Sequence, residues 1–529
     1  MSLFEYGDST LEGDAQAARA GTAERRLGKM NDSFKQLKPY LDRAMAIQTA
    51  LVLFEWDDAT LAPGAAGPNT SRVIEILSGE YFQAITGEET KALMKACLEN
   101  PEGLSETELA QVKELEDQIK QMDCIPKEEY QEFARISSES VRLWEKAKEE
   151  DDFNSFAGTL KKVVDYQKKF AGYRAKEGQK KYDALLEDYE KGFSMKELDR
   201  FFGMIKEELA PLLKKIMESK VSIEDGFLTG DFPEEKQEKL GRFLAEYVGF
   251  DFEKGVFSVS AHPFTTNLHN KDVRITTHYS NRVDSSLFSV IHEAGHGIYE
   301  MGIRDDLTQT LAGQGASMGM HESQSRFFEN IIGRSRDFWI PIYGKVQEIF
   351  PDPFEKISLD DFVKAINKVH PDLIRTEADE LTYSLHVLIR YEIEKALIEE
   401  NLDVEELPRI WADKYEEYLG VRPKTDKEGV LQDIHWSQGS FGYFPSYALG
   451  SAFGAQIYCH MKKVLDFEGL LRQGKVEVIR EYLRENIHQY GKMKTSRQIL
   501  KDMTGEDFNP RYYIDYLKEK YTALYQIAD

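Results

Sequence analysis

Residues 284–297 read DSSLFSVIHEAGHG, and this stretch decides how the chain is interpreted. It opens on three residues favoured at helix N-caps and continues with an apolar stripe, so it predicts a helix. In a helix, His292 and His296 lie one turn apart on one face and can bind one zinc ion together. Glu293 lies beside them, where it can take a proton from a water activated by the metal.

Gly295 lies in the middle of this predicted helix. A glycine there costs about 1 kcal/mol relative to alanine. This cost is easier to understand if another part of the molecule must approach the helix closely at that position.

A catalytic zinc site needs a third protein ligand. The metzincin pattern would require glycine at 299 and histidine at 302, where this chain has Tyr299 and Gly302, so that class is excluded. Glu300 is excluded as well, because ligands at 292, 296 and 300 would spread over about 12 Å of helix. One zinc ion, whose bonds to its ligands are about 2 Å long, cannot bind three side chains spread over that length.

The third ligand must therefore come from a following segment. Glu322 is the best candidate, in the second predicted helical stretch HESQSRFFENII. Asp305 and Asp306 are weaker because they lie in a predicted loop, and Glu329 is weaker because it lies further into the helix.

Helical periodicity dominates the rest of the chain. Helices are predicted over 31–55, over 106–122 after a Ser105/Glu108 capping box, and over 195–219 after a Ser194/Glu197 capping box. The exceptions are 256–260 and 273–279, which are rich in β-branched and aromatic residues and predict a small sheet. The turn-like segment HPFTTNLHNKD separates them. We expect a mainly α fold with one domain over 30–529, preceded by a flexible leader over 1–29.

The composition excludes several classes of function. The formal net charge of -25 is the opposite of what a nucleic-acid binder or a polybasic membrane-surface protein needs. No run of 18 apolar residues could span a bilayer, and the first residues do not form a secretory signal. The 3 cysteines lie in unrelated contexts, which indicates a reduced, cytoplasmic protein. All 11 histidines lie at or after His262, which places the expected chemistry in the second half.

The sequence resembles the carboxypeptidase Taq family of metallocarboxypeptidases, in blocks that run in one order. The similarity also covers ELTYSLHVLIRYEIEKALI, SFGYFPSYALG and LFEWDDATLAPGAA, and extends over about 30–529. The main blocks are HPF at 262–264, DVRIT at 272–276, HEAGH at 292–296, HESQ at 321–324, IRTEAD at 374–379 and GVLQDIHW at 429–436.

The resemblance implies a large helical domain with a deep active-site groove and a small sheet beside the metal site, related to the helical HExxH zinc peptidases. It implies a cytoplasmic homodimer that releases single residues from peptide C-termini with broad specificity. It supports His292, His296 and Glu322 as ligands of one metal ion per chain and Glu293 as general base. The metal would be zinc, or cobalt in some members.

Further roles are hypotheses. Related helical zinc peptidases use a histidine and a tyrosine to stabilise the tetrahedral oxyanion, and His435 and Tyr443 are the expected pair, with Tyr447 as the substitute for Tyr443. An alternative is that these are buried structural aromatics.

A free C-terminal carboxylate suits the planar fork of an arginine. Arg375 is the first choice and Arg274 the second; the alternative for Arg375 is an ion pair with Asp379. On resemblance alone, we expect three residues to line the groove or to orient ligands, namely His262, Gln324 and Asp433. The histidines at 269, 278, 370, 386, 460 and 488 are expected to be structural or superficial.

Two competing functions remain open at this point. A helical oligopeptidase that cuts internal bonds would use the same zinc and glutamate. A non-enzymatic acidic scaffold with a structural metal is disfavoured, because structural zinc usually has four protein ligands and has no use for Glu293.

Overall fold

The computed structural model describes residues 31–527, and within them the chain is mostly helical with one small sheet. Three helices position the candidate site: α11, which carries the HEAGH motif, α12, which follows it, and α20 near the C-terminus. In chain order the α-helices of the described part are α1 (Asp32–Thr60), α2 (Gly67–Thr86), α3 (Glu88–Glu99), α4 (Glu106–Asp123), α5 (Lys127–Glu150), α6 (Phe153–Arg174), α7 (Lys181–Leu186), α8 (Met195–Met204), α9 (Ala210–Met217), α10 (Glu234–Val248), α11 (Val283–Met301), α12 (Met318–Arg326), α13 (Arg336–Trp339), α14 (Tyr343–Ile349), α15 (Pro351–Phe354), α16 (Leu359–Ile366), α17 (Glu380–Glu399), α18 (Leu407–Leu419), α19 (His435–Gln438), α20 (Phe444–Val464), α21 (Phe467–Arg472), α22 (Val476–Asn486), α23 (Ser496–Thr504) and α24 (Arg511–Tyr525).

The predicted helices are present, with two differences in their ends and continuity. The capping boxes at Ser105 and Ser194 both form, and α4 and α8 begin directly after them. The predicted helix 195–219 is not one regular α-helix, because a π-helical turn, Ile205–Leu209, separates α8 from α9. Helix α11 begins at Val283, so the predicted cap residue Asp284 lies inside its first turn and pairs with Arg282.

The small sheet contains a strand that the sequence did not indicate. The three strands are β1 (Gly255–Val259), β2 (Thr265–His269) and β3 (Asp272–Thr277), in the order β1-β3-β2. The predicted segments pair in parallel as β1 and β3, and β2 pairs antiparallel with β3. Strand β2 lies in the segment interpreted as a turn. Its side chains are half-buried apart from Leu268, so it lacks the strong apolar alternation that predicts strands.

Most buried apolar side chains form one continuous cluster that includes residues from Ile136 to Tyr525. A smaller cluster joins helices α1 to α4, and Leu311 packs into it. The interpretation of 30–529 as one domain stays a prediction. The predicted leader lies outside the described residues.

Helices α11 and α12 touch through their backbones at Gly295. A Cβ atom added there would lie 2.8 Å from the Ser325 Cα and 2.9 Å from the Gln324 carbonyl oxygen. Helix α20 approaches α12 from another direction at Gly450, where a Cβ would lie 2.6 Å from the Cβ of Glu322. The close approach expected at Gly295 is therefore that of α12, the helix that carries Glu322.

Candidate metal centre and active site

His292, His296 and Glu322 come together, one side chain from each of two successive turns of α11 and one from α12. Each offers a ligand atom, and the three atoms lie within 4.8 Å of one another. Glu322 Oε2 lies 3.9 Å from His292 Nε2 and 3.7 Å from His296 Nε2. Two imidazole nitrogens and one carboxylate oxygen are a donor set that suits zinc and similar divalent ions.

The outer nitrogen of the His292 ring is held by Glu329. His292 Nδ1 lies 2.8 Å from Glu329 Oε2, which also accepts a hydrogen bond of 3.0 Å from Arg326. Burial alone would raise the pKa of Glu329, but Arg326, His292 and Arg334 outweigh it and hold that pKa well below its usual range. Burial would lower the pKa of His292, yet Glu329 and Glu322 raise it. Glu329, a weaker ligand candidate, instead holds the outer nitrogen of a candidate ligand.

The sequence contained a signal for this role. Glu322, Arg326 and Glu329 are spaced at i, i+4 and i+7, which places them on one face of a helical stretch. The π-helical turn Phe327–Ile332 that carries Glu329 continues directly from α12. Arg326 donates a 2.8 Å hydrogen bond to Glu322 Oε1, so one arginine orients both carboxylates.

The Nδ1 nitrogen of the His296 ring contacts a second histidine, His321. His296 Nδ1 lies 2.6 Å from His321 Nδ1, and His321 Nε2 lies 2.7 Å from Glu300 Oε1. Burial and the neighbouring His321 lower the pKa of His296 well below its usual value. Glu300, excluded as a ligand by the length of the helix, lies behind the centre as the partner of His321. The sequence had marked His321 only as part of the HESQ block.

Glu293 is buried beside His292, with one hydrogen-bond donor. Thr265 Oγ1, on β2, donates a 2.6 Å hydrogen bond to Glu293 Oε2. Burial raises the pKa of Glu293, while His292 and the Thr265 hydrogen bond oppose that rise. The role of Thr265 follows from β2, the strand that the sequence did not predict.

The predicted pair lies together with Tyr447: His435 begins α19, and Tyr443 directly precedes α20. Tyr447 Oη is 3.1 Å from His435 Nε2, and the ring of Tyr443 lies 5.3 Å from the His435 ring and 5.1 Å from the Tyr447 ring. Burial lowers the pKa of His435 to about 4, so its imidazole is neutral at pH 7. Burial raises the pKa of Tyr443, which keeps its hydroxyl protonated.

Arg375 is ion-paired, but not with Asp379 as the alternative interpretation expected. Two of its nitrogens donate to Asp433 Oδ1 at 3.0 and 2.9 Å, and its side chain is 8% exposed. Asp379 instead caps α17 by accepting hydrogen bonds from Leu381 and Thr382. Arg390 binds the other oxygen of Asp433, and the two guanidinium groups hold the pKa of Asp433 well below its usual range despite its burial.

Gln324 is buried and does not line a groove, so of its two expected roles only the orienting of ligands stays a prediction. Its side chain is 0% exposed, because it packs under α11 and accepts a 2.9 Å hydrogen bond from His488 Nε2. His262 is exposed, and its carbonyl oxygen accepts a hydrogen bond from Ser260.

Arg274 is bound by Asp272 through two hydrogen bonds of 2.8 and 2.9 Å and stacks on the ring of Trp56. Both predicted carboxylate-binding arginines are thus already paired with acids. His386 and His488 are fully buried, which agrees with their structural interpretation. Asp305 and Asp306 pair with Lys271 and Arg304 and do not join the ligand cluster.

A cleft of about 650 Å³ opens beside the centre, on the side of the N-terminal helices. It touches the site through His321 and Thr265, the partners of His296 and Glu293. Residues from α1, α4, β2 and the segment before α12 form its walls, among them Met45, Thr49, Asn267 and Gln314. The predicted groove beside the metal site is confirmed.

A helical fold with this His-Glu-x-x-His helix and a converging carboxylate defines a helical metallopeptidase. The chain belongs to the carboxypeptidase Taq (M32) metallopeptidase family, whose model matches residues 36–521. It is a metal-dependent carboxypeptidase, a hydrolase that acts on peptide bonds.

Relatives support this assignment over nearly the whole chain. Carboxypeptidase 1 of Bacillus subtilis is 42% identical over 493 residues, covering 93% of this chain and 98% of the relative. Thermostable carboxypeptidase 1 of Pyrococcus furiosus is 36% identical and covers 93% of this chain and 99% of the relative. A solved structure of Pyrococcus furiosus carboxypeptidase superposes with a TM-score of 0.89 at 35% identity, covering 93% of this chain and 99% of that one.

Among the described residues, no helix is both long and apolar enough to cross a membrane.

Proposed function

We propose that the enzyme releases single amino acids from the C-termini of peptides with broad specificity, using one zinc ion, or cobalt, held by His292, His296 and Glu322. The observation that carries the proposal is the convergence of these three ligand atoms within 4.8 Å, with Glu293 beside them. The donor set fits the ion, because each imidazole has its Nδ1 engaged by an outer partner and its Nε2 directed at Glu322. A bound divalent ion would polarise the peptide carbonyl and activate a water for attack.

Glu293 serves as the general base in this proposal. Its carboxylate is buried and oriented by the hydroxyl of Thr265, so it can accept a proton from the attacking water and then deliver it to the leaving amine. Burial raises the pKa of Glu293, which makes the carboxylate a stronger base than one in water.

Tyr443 and His435 supply donors for the developing oxyanion. The hydroxyl of Tyr447 is within hydrogen-bond distance of His435 Nε2, which supports Tyr443 as the tyrosine that donates to substrate and Tyr447 as a residue that orients His435 and contacts substrate. Preorganised donors stabilise the transition state because they need no reorientation as charge develops.

Arg375 is the proposed partner of the substrate's C-terminal carboxylate, with Arg274 as the second candidate. The guanidinium of Arg375 lies over the Tyr447 ring at 4.8 Å, next to the proposed oxyanion donors. Asp433 is shared between Arg375 and Arg390, so the three groups together carry one net positive charge that can attract a carboxylate. His262, which is exposed, is proposed to contact substrate.

We also propose that the enzyme is a cytoplasmic homodimer. Its cysteines Cys97, Cys124 and Cys459 are all free, which is the usual state in a reducing compartment. Light scattering during gel filtration should give twice the mass of one chain, and a single-chain mass would contradict the dimer.

The test of the activity uses one peptide in two forms, with a free C-terminal acid and with a C-terminal amide. Product masses should show loss of one residue at a time from the free acid, little reaction with the amide, and no reaction after treatment with a chelator. Internal cuts in both forms would instead identify an oligopeptidase.

Arg375→Lys tests carboxylate recognition while keeping the charge beside Asp433. It should raise KM for free-acid peptides and leave the weak reaction with amidated peptides nearly unchanged, because lysine lacks the planar fork. Arg274→Lys is the matched comparison. An equal loss on acid and amide for Arg375→Lys would exclude this role.

A further inference from the structure

The Nδ1 atoms of the two histidines of the metal centre contact different chemical groups. His292 is backed by Glu329, a carboxylate flanked by Arg326 and Arg334. His296 is backed by the imidazole of His321, at a Nδ1 to Nδ1 distance of 2.6 Å. Behind His321 lies the carboxylate of Glu300, 2.7 Å from His321 Nε2.

The proton positions along His296, His321 and Glu300 follow from these contacts. An imidazole that binds a cation through Nε2 carries its proton on Nδ1, so His296 donates to His321 Nδ1. His321 accepts there and must therefore carry its own proton on Nε2. That proton is donated to Glu300 Oε1. With a cation at His296 Nε2, this arrangement satisfies both ring contacts of His321.

Glu300 is itself set to be an acceptor at both oxygens. Its Oε1 also accepts a hydrogen bond of 3.3 Å from the Gly315 backbone, and its Oε2 accepts one from the side-chain amide of Asn267. Glu300 is 4% exposed, so water does not compete strongly for these contacts. Because Glu300 accepts hydrogen bonds at both oxygens, it fixes which atom donates and which accepts in the contacts between His296, His321 and Glu300.

The ring of His321 has little room to turn away from His296. A Cβ at Gly315 would lie 2.7 Å from His321 Cδ2, so the backbone at Gly315 lies directly against the ring. On another side, the ring of Tyr299 lies 5.1 Å from that of His321, and Tyr299 is held by a hydrogen bond from the Ala316 backbone.

We propose that His321 is a positioning residue for the metal centre, which holds His296 in the tautomer and orientation that present Nε2 to the cation, with Glu300 as its anchor. The proposal rests on the assignment of His296 as a metal ligand. His321 touches the ligand and not the cation, so its loss should weaken metal binding without removing a ligand.

The test compares the zinc affinity of the full-length wild type with that of His321→Phe, measured by competition with a chromophoric chelator. Phenylalanine keeps a ring against Tyr299 and Gly315 and removes both hydrogen bonds. Loss of an outer partner of a ligating histidine weakens metal binding by about 10- to 100-fold, and we expect a change in that range. The visible spectrum of the Co²⁺-loaded variant should also shift, because the ligand field at the ion changes.

Two further variants complete the design. Glu300→Gln removes the charge of the anchor while keeping its size, and it should weaken zinc binding less than His321→Phe does. If His321→Phe does not fold, the zinc affinity of Glu300→Gln tests the proposal in its place. His460→Phe is the matched control, because His460 lies on α20 and is bonded to Tyr482, outside the site. It should bind zinc as the wild type does.

The outcomes separate this proposal from the one on which it rests. If His296→Ala binds zinc as tightly as the wild type, the ligand assignment itself is wrong. If His296→Ala loses zinc but His321→Phe and Glu300→Gln keep wild-type affinity and the wild-type Co²⁺ spectrum, the ligand assignment stands and the positioning role of His321 is overturned.

Discussion

Glu293 combines two features that a general base needs, a raised basicity and a fixed direction. Burial removes water from its carboxylate, and the Thr265 hydroxyl holds one of its oxygens at 2.6 Å. The first feature is a consequence of α11 facing the core, and the second depends on a threonine from strand β2. The environment of Glu293 thus depends on two elements of different kinds, a helix and a strand.

Glu293→Gln should lose activity and keep the metal. A glutamine has nearly the same shape but cannot accept the proton, so kcat should fall by about 10²- to 10⁴-fold. Zinc content should match the wild type, because the ligands are untouched. Thr265→Val, which removes only the orienting hydrogen bond, should cost roughly 10-fold in kcat. A Glu293→Gln enzyme with full activity would overturn the base assignment.

Tyr443→Phe and Tyr447→Phe should separate the two tyrosines near His435. Loss of a hydroxyl that donates to the oxyanion lowers kcat by about 10²- to 10³-fold, which is expected for Tyr443. Tyr447→Phe should have a smaller effect, because its hydroxyl is hydrogen-bonded to His435. Steady-state kinetics with one free-acid peptide measures both. Unchanged kcat/KM in Tyr443→Phe would show that the ring has only a structural role.

At the scale of elements, the site is built by helices that touch at glycines. Gly295 lets the backbone of α12 lie against α11, and Gly450 lets α20 lie against the side chain of Glu322. The small sheet packs on the other side of α11, where Gly297 leaves room for Phe250 and Ile275. Close packing on several sides constrains the positions of the histidines relative to Glu322.

Gly295→Ala should weaken metal binding and destabilise the protein. The added methyl group meets backbone atoms at 2.8 and 2.9 Å, so α11 and α12 must move apart. Overpacking of this kind costs about 1–3 kcal/mol, more than the helix propensity gained from alanine. Urea unfolding and zinc titration measure the two effects.

Gly158→Ala is the matched control for this substitution. Gly158 lies inside α6, and nothing lies within 4 Å of a Cβ added there. This variant should gain up to about 1 kcal/mol in the free energy of unfolding and bind zinc normally. If both glycine variants behaved alike, contact between α11 and α12 would not be what requires Gly295.

At the scale of the whole molecule, several histidines are buried in neutral form. Burial lowers the pKa of His488 from 6.5 to about 3 and that of His435 to about 4. As the pH falls below 6.5, the unfolded chain takes up protons at these positions, while the folded protein does not until the pH approaches its lowered pKa values. The free energy of unfolding should therefore decrease from about pH 6.5 downward.

His488→Gln should make this acid destabilisation less steep. Each such histidine contributes about 1.4 kcal/mol per pH unit between its folded and unfolded pKa values, so the slope between pH 6 and 4 should decrease by about that amount. Urea unfolding at constant metal concentration measures the slope. His262→Gln, at an exposed position, is the control for the substitution itself. The same slope in His488→Gln as in the wild type would contradict the prediction.

Local patterns determined much about this protein. Helical periodicity places His292 and His296 on one face whatever surrounds them, because the spacing of a helix is set by its backbone hydrogen bonds. Capping residues likewise marked the starts of α4 and α8, since they act on atoms three residues away. The geometric limit on ligands at 292, 296 and 300 also excluded Glu300, without reference to the rest of the fold.

Contacts between distant segments were decided only by the tertiary structure. The partner of Arg375 is Asp433 and not the nearby Asp379, Gln324 is buried against His488, and β2 forms where the local pattern suggested a turn. His321 likewise acquires its place between His296 and Glu300 from the packing of α12 on α11. Local hydrogen bonding and periodicity are determined by short stretches of sequence, whereas the partner of a buried polar group depends on which elements pack together.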